Sequence, residues 1–345
     1  MASACVNAPG VSRDDGHCAL GLVFPCGSSL WNCCNTTFWI PVVRVSTVKF
    51  ASRLLHRAVP AVLCLFFTLR VFAEVAVVDD SGIKVSLTSP ATRVISLAPN
   101  LTEILFFIGA GEQVVGAVEY SDFPAGARQL PLVGAHNRFD VEQILSLKPD
   151  LIVAWLSGNS QDGLQALKQL GLPVFISEPG TVDGIVSLME RLGKLTGNET
   201  EAVEQASAFR ASIDASRKTY SNRQPVRVFY QVWEQPIYTL NGDHVISHLI
   251  DLCGGRNIFS DLKHLAPVVS LESVLARDPE VIVGGGVFGE IPPWAERWQS
   301  WPTVKAVQNQ HIYAIDSDHI ARMGPRLAQG MEALCLVIDK ARNTL

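Results

Sequence analysis

Two α/β lobes with parallel sheets, joined by a long rigid helix and leaving a cleft between them, are the architecture this sequence predicts. Three observations carry the prediction. Apolar, strand-like runs alternate with helical stretches from residue 93 onward; a block of the first half recurs in the second; and a polar, helically periodic stretch separates the halves.

Arg93-Val94-Ile95-Ser96-Leu97 opens the first half as a strand. Ala98-Pro99-Asn100 turns it into a helix that Asn100 or Thr102 can cap; Ile104, Leu105, Phe107 and Ile108 form its apolar face and Gly109-Ala110-Gly111 ends it. Strands follow at 114–118, 151–155 and 173–176, with helices at 141–147 and 160–170. Such alternation makes a parallel sheet covered on both faces. The same order restarts with a strand at 226–230 and a helix at 246–253, stopped by Gly254-Gly255.

The recurring block is Glu142-Gln143-Ile144-Leu145-Ser146-Leu147-Lys148-Pro149-Asp150-Leu151-Ile152-Val153, matched by Glu272-Ser273-Val274-Leu275-Ala276-Arg277-Asp278-Pro279-Glu280-Val281-Ile282-Val283. Glu, Leu, Pro and Ile-Val recur in register. Each half therefore reads as a Rossmann-like lobe, the first over 74–196 and the second over 225–345, with the linker over 197–224. Within the linker region 183–195 is one helix. Asn198, with Glu201 three residues on, reads as a capping signature for a second helix that runs to about Tyr220, its apolar positions being Ala202, Ala206, Phe209 and Ile213. A helix connects lobes stiffly, unlike a Gly/Ser tether, so only small hinge motions are expected.

With 48% apolar and 18% charged residues, the 345-residue chain is too apolar for a disordered protein and long enough for two domains. The formal net charge of -5 argues against nucleic acid, whose recognition needs an excess of Lys and Arg. One apolar stretch, 58–69, comes near membrane-spanning length, but Arg70 cuts it short. Lys49, Arg53, His56 and Arg57 precede it, and small residues flank Phe72 before Glu74. This is the pattern of a secretory signal over 48–73, cleaved after Ala73 and leaving a freely periplasmic chain. Leu63 before Cys64 speaks against lipid attachment. Residues 1–47 then read as an over-extended gene start outside the fold.

The remaining residues, 74–345, carry 22 Lys/Arg against 31 Asp/Glu, a net charge of -9, and only Cys253 and Cys335. Two cysteines in an exported chain suggest one disulfide; two separate buried thiols are the other reading.

No phosphate-binding loop, no G-x-S-x-G nucleophile turn and no metal-ligand cluster occurs in the sequence. Gly284-Gly285-Gly286 reads as a tight turn at the cleft. Aromatics instead collect after strands: Tyr120, Trp155, Trp233 and Tyr238. Ligands of open α/β sheets bind at that edge, and aromatics supply apolar area with polar tips. A large, flat, partly apolar ligand fits such a cleft.

The segments Arg93 to Pro99, Thr102-Glu103, Tyr120-Ser121-Asp122-Phe123-Pro124, Glu142 to Ile152 and Cys253 to Phe259 resemble those of the periplasmic cobalamin-binding proteins of vitamin B12 ABC importers. This family's wider kin also bind haem and ferric siderophores. The resemblance covers about residues 90–340, with a binding domain of about 92–340. It implies cobalamin held between the lobes, with no cofactor or catalysis. By match, Asn100, Tyr120, Trp155, Tyr238, Asp318 and Arg322 touch the ligand; Cys253 and Cys335 form a disulfide; Glu142 and Glu272 dock onto basic residues of the permease. The alternative for each glutamate is that it caps its own short helix, which is compatible with docking.

The chain departs from the family's pattern at two cleft positions that can hold Trp, having His136 and Ala266 instead. His136 suits a hydrogen bond to a corrin side chain or water; a sharper expectation is that it ligates cobalt, or iron if the ligand is haem. The expected function is thus a monomeric binding protein that captures cobalamin or a related corrinoid for an ABC importer. Haem or siderophore capture is the alternative within the class, although a siderophore cleft calls for more Arg than Arg138 and Arg322. A two-lobed α/β enzyme is the alternative from another class.

Overall fold

The computed structural model describes residues 74–344. The expectations for the signal at 48–73 and the gene start at 1–47 lie outside the described residues.

The N-terminal lobe has a four-stranded sheet built from β3 (Val94–Ser96), β4 (Val114–Ala117), β7 (Leu151–Trp155) and β8 (Val174–Ser177), in spatial order β4-β3-β7-β8 with every pairing parallel. The C-terminal lobe repeats the plan. Its strands β9 (Val226–Gln231), β12 (Gly255–Asn257), β13 (Val281–Gly286) and β14 (Ile312–Asp316) lie in the order β12-β9-β13-β14, again all parallel. In both sheets the first strand in sequence lies between the second and the third, so each has a topological switch point at the carboxyl ends of its two middle strands.

Helix α1 (Pro99–Phe107) joins β3 to β4. Neither expected residue caps it. Ala98 occupies the N-cap position without a side-chain bond and Pro99 supplies the first turn, where its missing N–H costs nothing. The Thr102 hydroxyl bonds the Ser96 and Ser121 hydroxyls instead, tying the ends of β3 and β4 together. After the short antiparallel pair β5 (Gly134–Ala135) and β6 (Arg138–Phe139), helices α2 (Val141–Ser146) and α3 (Gln161–Gln169) flank β7, and Asp140 and Ser160 cap them. A hairpin not foreseen from the sequence, β1 (Val75–Val78) with β2 (Lys84–Leu87), covers the β8 edge: Asp79 accepts from the Ile176 amide, and Arg191 pairs with Asp80 at 2.7 Å.

Helix α4 (Val182–Thr196) ends at Gly197, which is left-handed at φ 76°. Helix α5 (Glu199–Tyr220) then links the lobes. The expected Asn198–Glu201 capping box does not form. The Asn198 amide already donates to the Gly193 carbonyl at 2.8 Å, its side chain donates to Gln113 at 2.9 Å, and Glu201 instead accepts from Gln205. The expected apolar positions hold: Ala202, Ala206, Phe209 and Ile213 are buried.

In the C-terminal lobe, the short strands β10 (Trp233–Glu234) and β11 (Ile237–Tyr238) form a hairpin after β9. Helix α6 (Val245–Leu252) leads to β12, and Gly254 stops it at φ 69°. Gly255, expected to share that role, instead begins β12. Helix α7 (Leu271–Arg277) precedes β13. Beyond it come α8 (Pro293–Arg297), α9 (Lys305–Gln308), α10 (Ser317–Ile320) and α11 (Leu327–Arg342). Gly284-Gly285-Gly286, expected as a turn, is the end of strand β13. The glycines are there for close approach: a Cβ would lie 2.6 Å from the Trp294 ring at Gly284, 2.7 Å from the Ser317 hydroxyl at Gly285 and 2.9 Å from the Ala314 Cβ at Gly286.

Separate apolar clusters fill the outer faces, around Ile95, Ile144 and Ile152 in one lobe and around Phe229, Phe259, Ile282 and Trp298 in the other. A third cluster runs without a break from Leu101 and Leu188 through Phe209 and Ile213 to Leu249 and Met331. The α5 stripe thus belongs to a core that both lobes share, which gives the stiff connection a physical basis.

Candidate functional site

The aromatic rim of the N-terminal lobe stands at its switch point. Trp155 is the last residue of β7 and half-buried; the His136 ring lies 6.2 Å from it, centroid to centroid, tilted by 38°. One residue that sequence reasoning missed places both. The buried Asn159 side chain accepts from the Trp155 amide at 2.6 Å and donates to the carbonyls of Leu97 at 2.8 Å and His136 at 2.6 Å. Its position just after a strand was the available signal. A Cβ on Gly158 would lie only 1.8 Å from the Trp155 ring, so the ring rests on bare backbone. Tyr120 follows β4, 71% exposed, with φ at 64°, a left-handed conformation that costs an L-residue about 1–2 kcal/mol. The fold holds this phenol out in solvent despite that cost.

In the C-terminal lobe the β10–β11 hairpin presents Trp233 and Tyr238 as direct cross-strand partners on one face; Trp233 is 62% exposed and Tyr238 half-buried. The rim aromatics of both lobes thus reach solvent and are not sealed inside. Glu234 and Ile237, on the hairpin's other face, line a pocket of about 400 Å³ with Trp294, Trp298 and Trp301. Sequence reasoning did not single out these three tryptophans, which lie in a stretch left without assigned elements. Ala266 is exposed near this hairpin, and Arg138 is exposed in the other lobe.

Arg322 meets residues of the opposite lobe, and Asp318 pairs with it from its own. Arg322 pairs with Glu103 at 3.0 Å, Asp122 at 2.8 Å and Asp318 at 2.9 Å. Arg326 pairs with Glu103 at 2.6 Å and Asp318 at 3.7 Å. Burial works to raise the Asp122 pKa, but the hydrogen bond and charge of Arg322 outweigh it, and the carboxyl titrates below its ordinary value. Asn100, in the first turn of α1, reaches the same junction and donates to the Met323 carbonyl at 3.4 Å. Arg128 bonds the Asp122 carbonyl at 2.9 Å and adds its charge beside that carboxyl, so three carboxylates face three guanidinium groups.

Glu142 and Glu272 occupy the same position in the two lobes, exposed in the first turns of α2 and α7. Neither caps its helix: Asp140 accepts from the Gln143 amide and Ser270 from the Ser273 amide. Cys253, at the end of α6, and Cys335, in α11, are buried and form a disulfide across 82 residues, with Cα atoms 4.7 Å apart.

Two parallel-sheet lobes with a shared core, meeting at carboxyl-end loops that carry exposed aromatics, define a two-lobed substrate-binding protein. The chain belongs to the periplasmic binding protein family, whose profile matches residues 94–319. It is 38% identical over 255 residues to the vitamin B12-binding protein of Vibrio cholerae, covering 74% of this chain and 91% of that one. The crystal structure of the periplasmic vitamin B12 binding protein BtuF of Vibrio cholerae superposes with a TM-score of 0.67, covering 73% of this chain and 98% of that one. The periplasmic heme-binding protein RhuT from Roseiflexus shares the fold at 24% identity, with a TM-score of 0.63 and coverage of 73% and 99%. Like these relatives, the chain is a binding protein and not an enzyme.

Proposed function

We propose that this protein captures cobalamin or a related corrinoid in the periplasm and delivers it to the membrane permease of an ABC importer. The observation that carries this reading is the pairing of exposed aromatics from both lobes with a charge-paired polar cluster where the lobes meet. Tyr120, Trp155 and Tyr238 offer faces to the corrin, and desolvating those faces drives binding. Asn100, Asp318 and Arg322 orient the ligand, the carboxylates accepting from the neutral amides that fringe a corrin. His136 hydrogen-bonds the ligand's edge. Glu142 and Glu272 present matched acidic knobs to basic residues of the permease. A signal that is cleaved after Ala73 directs its export.

Calorimetric titration of residues 74–345 with cyanocobalamin, haemin and a ferric siderophore tests the reading. Saturable uptake of cyanocobalamin with quenching of tryptophan fluorescence is expected; uptake of haemin alone overturns it. The imidazole of His136 beside Trp155 favours haem as the second reading, and there the metal-ligand absorption band should change in His136→Ala.

A further inference from the structure

The Glu103 carboxylate sits in α1 of the N-terminal lobe with its side chain 1% exposed, yet its partners come from the C-terminal lobe. Oε1 accepts from Arg322 at 3.0 Å and from Arg326 at 2.6 Å, and Oε2 accepts from Arg326 Nε at 2.9 Å. The Arg326 guanidinium also lies 4.2 Å over the Phe123 ring, and Arg322 reaches Asp122, so each arginine grips the first lobe twice. A carboxylate this far from water is tolerated only while paired, and Arg326 meets it in the two-point geometry that fixes orientation as well as distance. Opening the lobes here would strip both cations from a buried charge. The shared core around α5 already ties the lobes along one side, and this cluster ties them again at the loops that bear the rim.

We propose that Glu103 is a positioning residue: it locks Arg322 and Arg326 across the lobe junction, sets how far apart the aromatic rims stand, and so governs how long a ligand stays. The lock is built into the unliganded protein; it rests on the corrinoid reading only in the choice of cyanocobalamin as probe.

Nitroxide labels at Lys168→Cys and Lys263→Cys, both exposed and one in each lobe, report the inter-lobe distance by pulsed electron-electron resonance without ligand. A narrow distribution is expected for the otherwise unaltered protein and a broader, longer one for Glu103→Gln. Cyanocobalamin should then leave the variant about tenfold faster, since interface defects act mainly on dissociation. A merely structural role would lower the melting temperature and leave the distance distribution of the folded protein as it was; that outcome overturns the proposal. If Glu103→Gln does not fold, Arg326→Lys, which keeps the charge and loses the two-point grip, is judged by the same criterion. Should the unaltered protein bind no cobalamin, the corrinoid reading fails and the distance distributions alone decide the lock.

Discussion

The two lobes agree at one end of their sheets and differ at the other. At the amino ends the match reaches individual atoms. Asp150 accepts from the Arg93 amide at 2.9 Å, and Glu280 accepts from the Arg227 amide at 2.9 Å. The Arg93 Nε donates to the Lys148 carbonyl at 3.2 Å, and the Arg227 Nε to the equivalent Asp278 carbonyl at 3.2 Å. Lys148 and Asp278 both turn left-handed, at φ 48° and 42°. At the carboxyl ends nothing of the kind survives: one lobe carries His136 and Trp155 pinned by Asn159, the other a hairpin with Trp233 and Tyr238 and a tryptophan-lined pocket. The frame is common to both lobes and the rims are individual, as expected if function sits in loops grafted onto a fold.

The lobes also differ in their fastening, and there the largest effect is expected. The disulfide ties α6 to α11, whereas in the first lobe the corresponding helices α1 and α4 are held by apolar contact alone. Replacing both cysteines by Ser should cost about 4–5 kcal/mol in the chain-entropy account, on the order of 10 °C in melting temperature. Hydrogen exchange should then show the second lobe opening before the first; simultaneous opening would mean that the shared core, not the disulfide, sets the stability of the whole.

Next comes acid. The His244 imidazole caps α6, accepting from the Ile246 amide at 3.2 Å, whereas α1 has an Ala98 cap with nothing to titrate. Burial, aided by the charge of His248, pushes the His244 pKa down to about 4. The unfolded chain, with a His pKa near 6.5, therefore binds more protons between those values. The resulting stability is fully present above about pH 6.5 and is lost as pH falls toward 4, by at most about 3 kcal/mol. Asp251 works the other way, since burial raises its pKa and it takes up its proton earlier in the folded state. Melting curves from pH 7 to 4 should show a decline that His244→Asn, which can still cap, makes shallower; an unchanged slope would remove His244 as its source.

Asp150→Ala and Glu280→Ala test the shared frame itself. Each leaves a strand amide without its carboxylate, at a cost of about 1–2 kcal/mol where water can partly replace it. Denaturation midpoints should shift alike, and a clear asymmetry would break the equivalence. Smaller still is the stability change for Tyr120→Gly, because relief of the left-handed strain offsets the entropy of a new glycine. Cyanocobalamin affinity should nonetheless fall about tenfold, as loss of a rim anchor would give. Glu142→Ala and Glu272→Ala should leave binding and stability nearly untouched while lowering vitamin uptake into cells; unaltered uptake in the double variant would remove the docking role.

The repeated frame was legible in the sequence because it is periodic: apolar strands, helical spacing and the Glu-to-Val block are local signals. Cap and turn details were less so. Asn198 looked like a cap, but its amide was already engaged by the end of α4; three consecutive glycines looked like a turn, but they thin a strand so that Trp294 and Ser317 can approach. The rim aromatics announced themselves as residue types after strands. Asn159 and Glu103 did not, because what each does depends on partners brought near only by tertiary folding: Leu97 and His136 for one, Arg322 and Arg326 for the other.

The apolar stripe of α5 packs against both sheets' helices at once, so neither half owns it. A fragment ending before α5 would bare greasy surface on α4, and one beginning after it would do the same on α6 and α11.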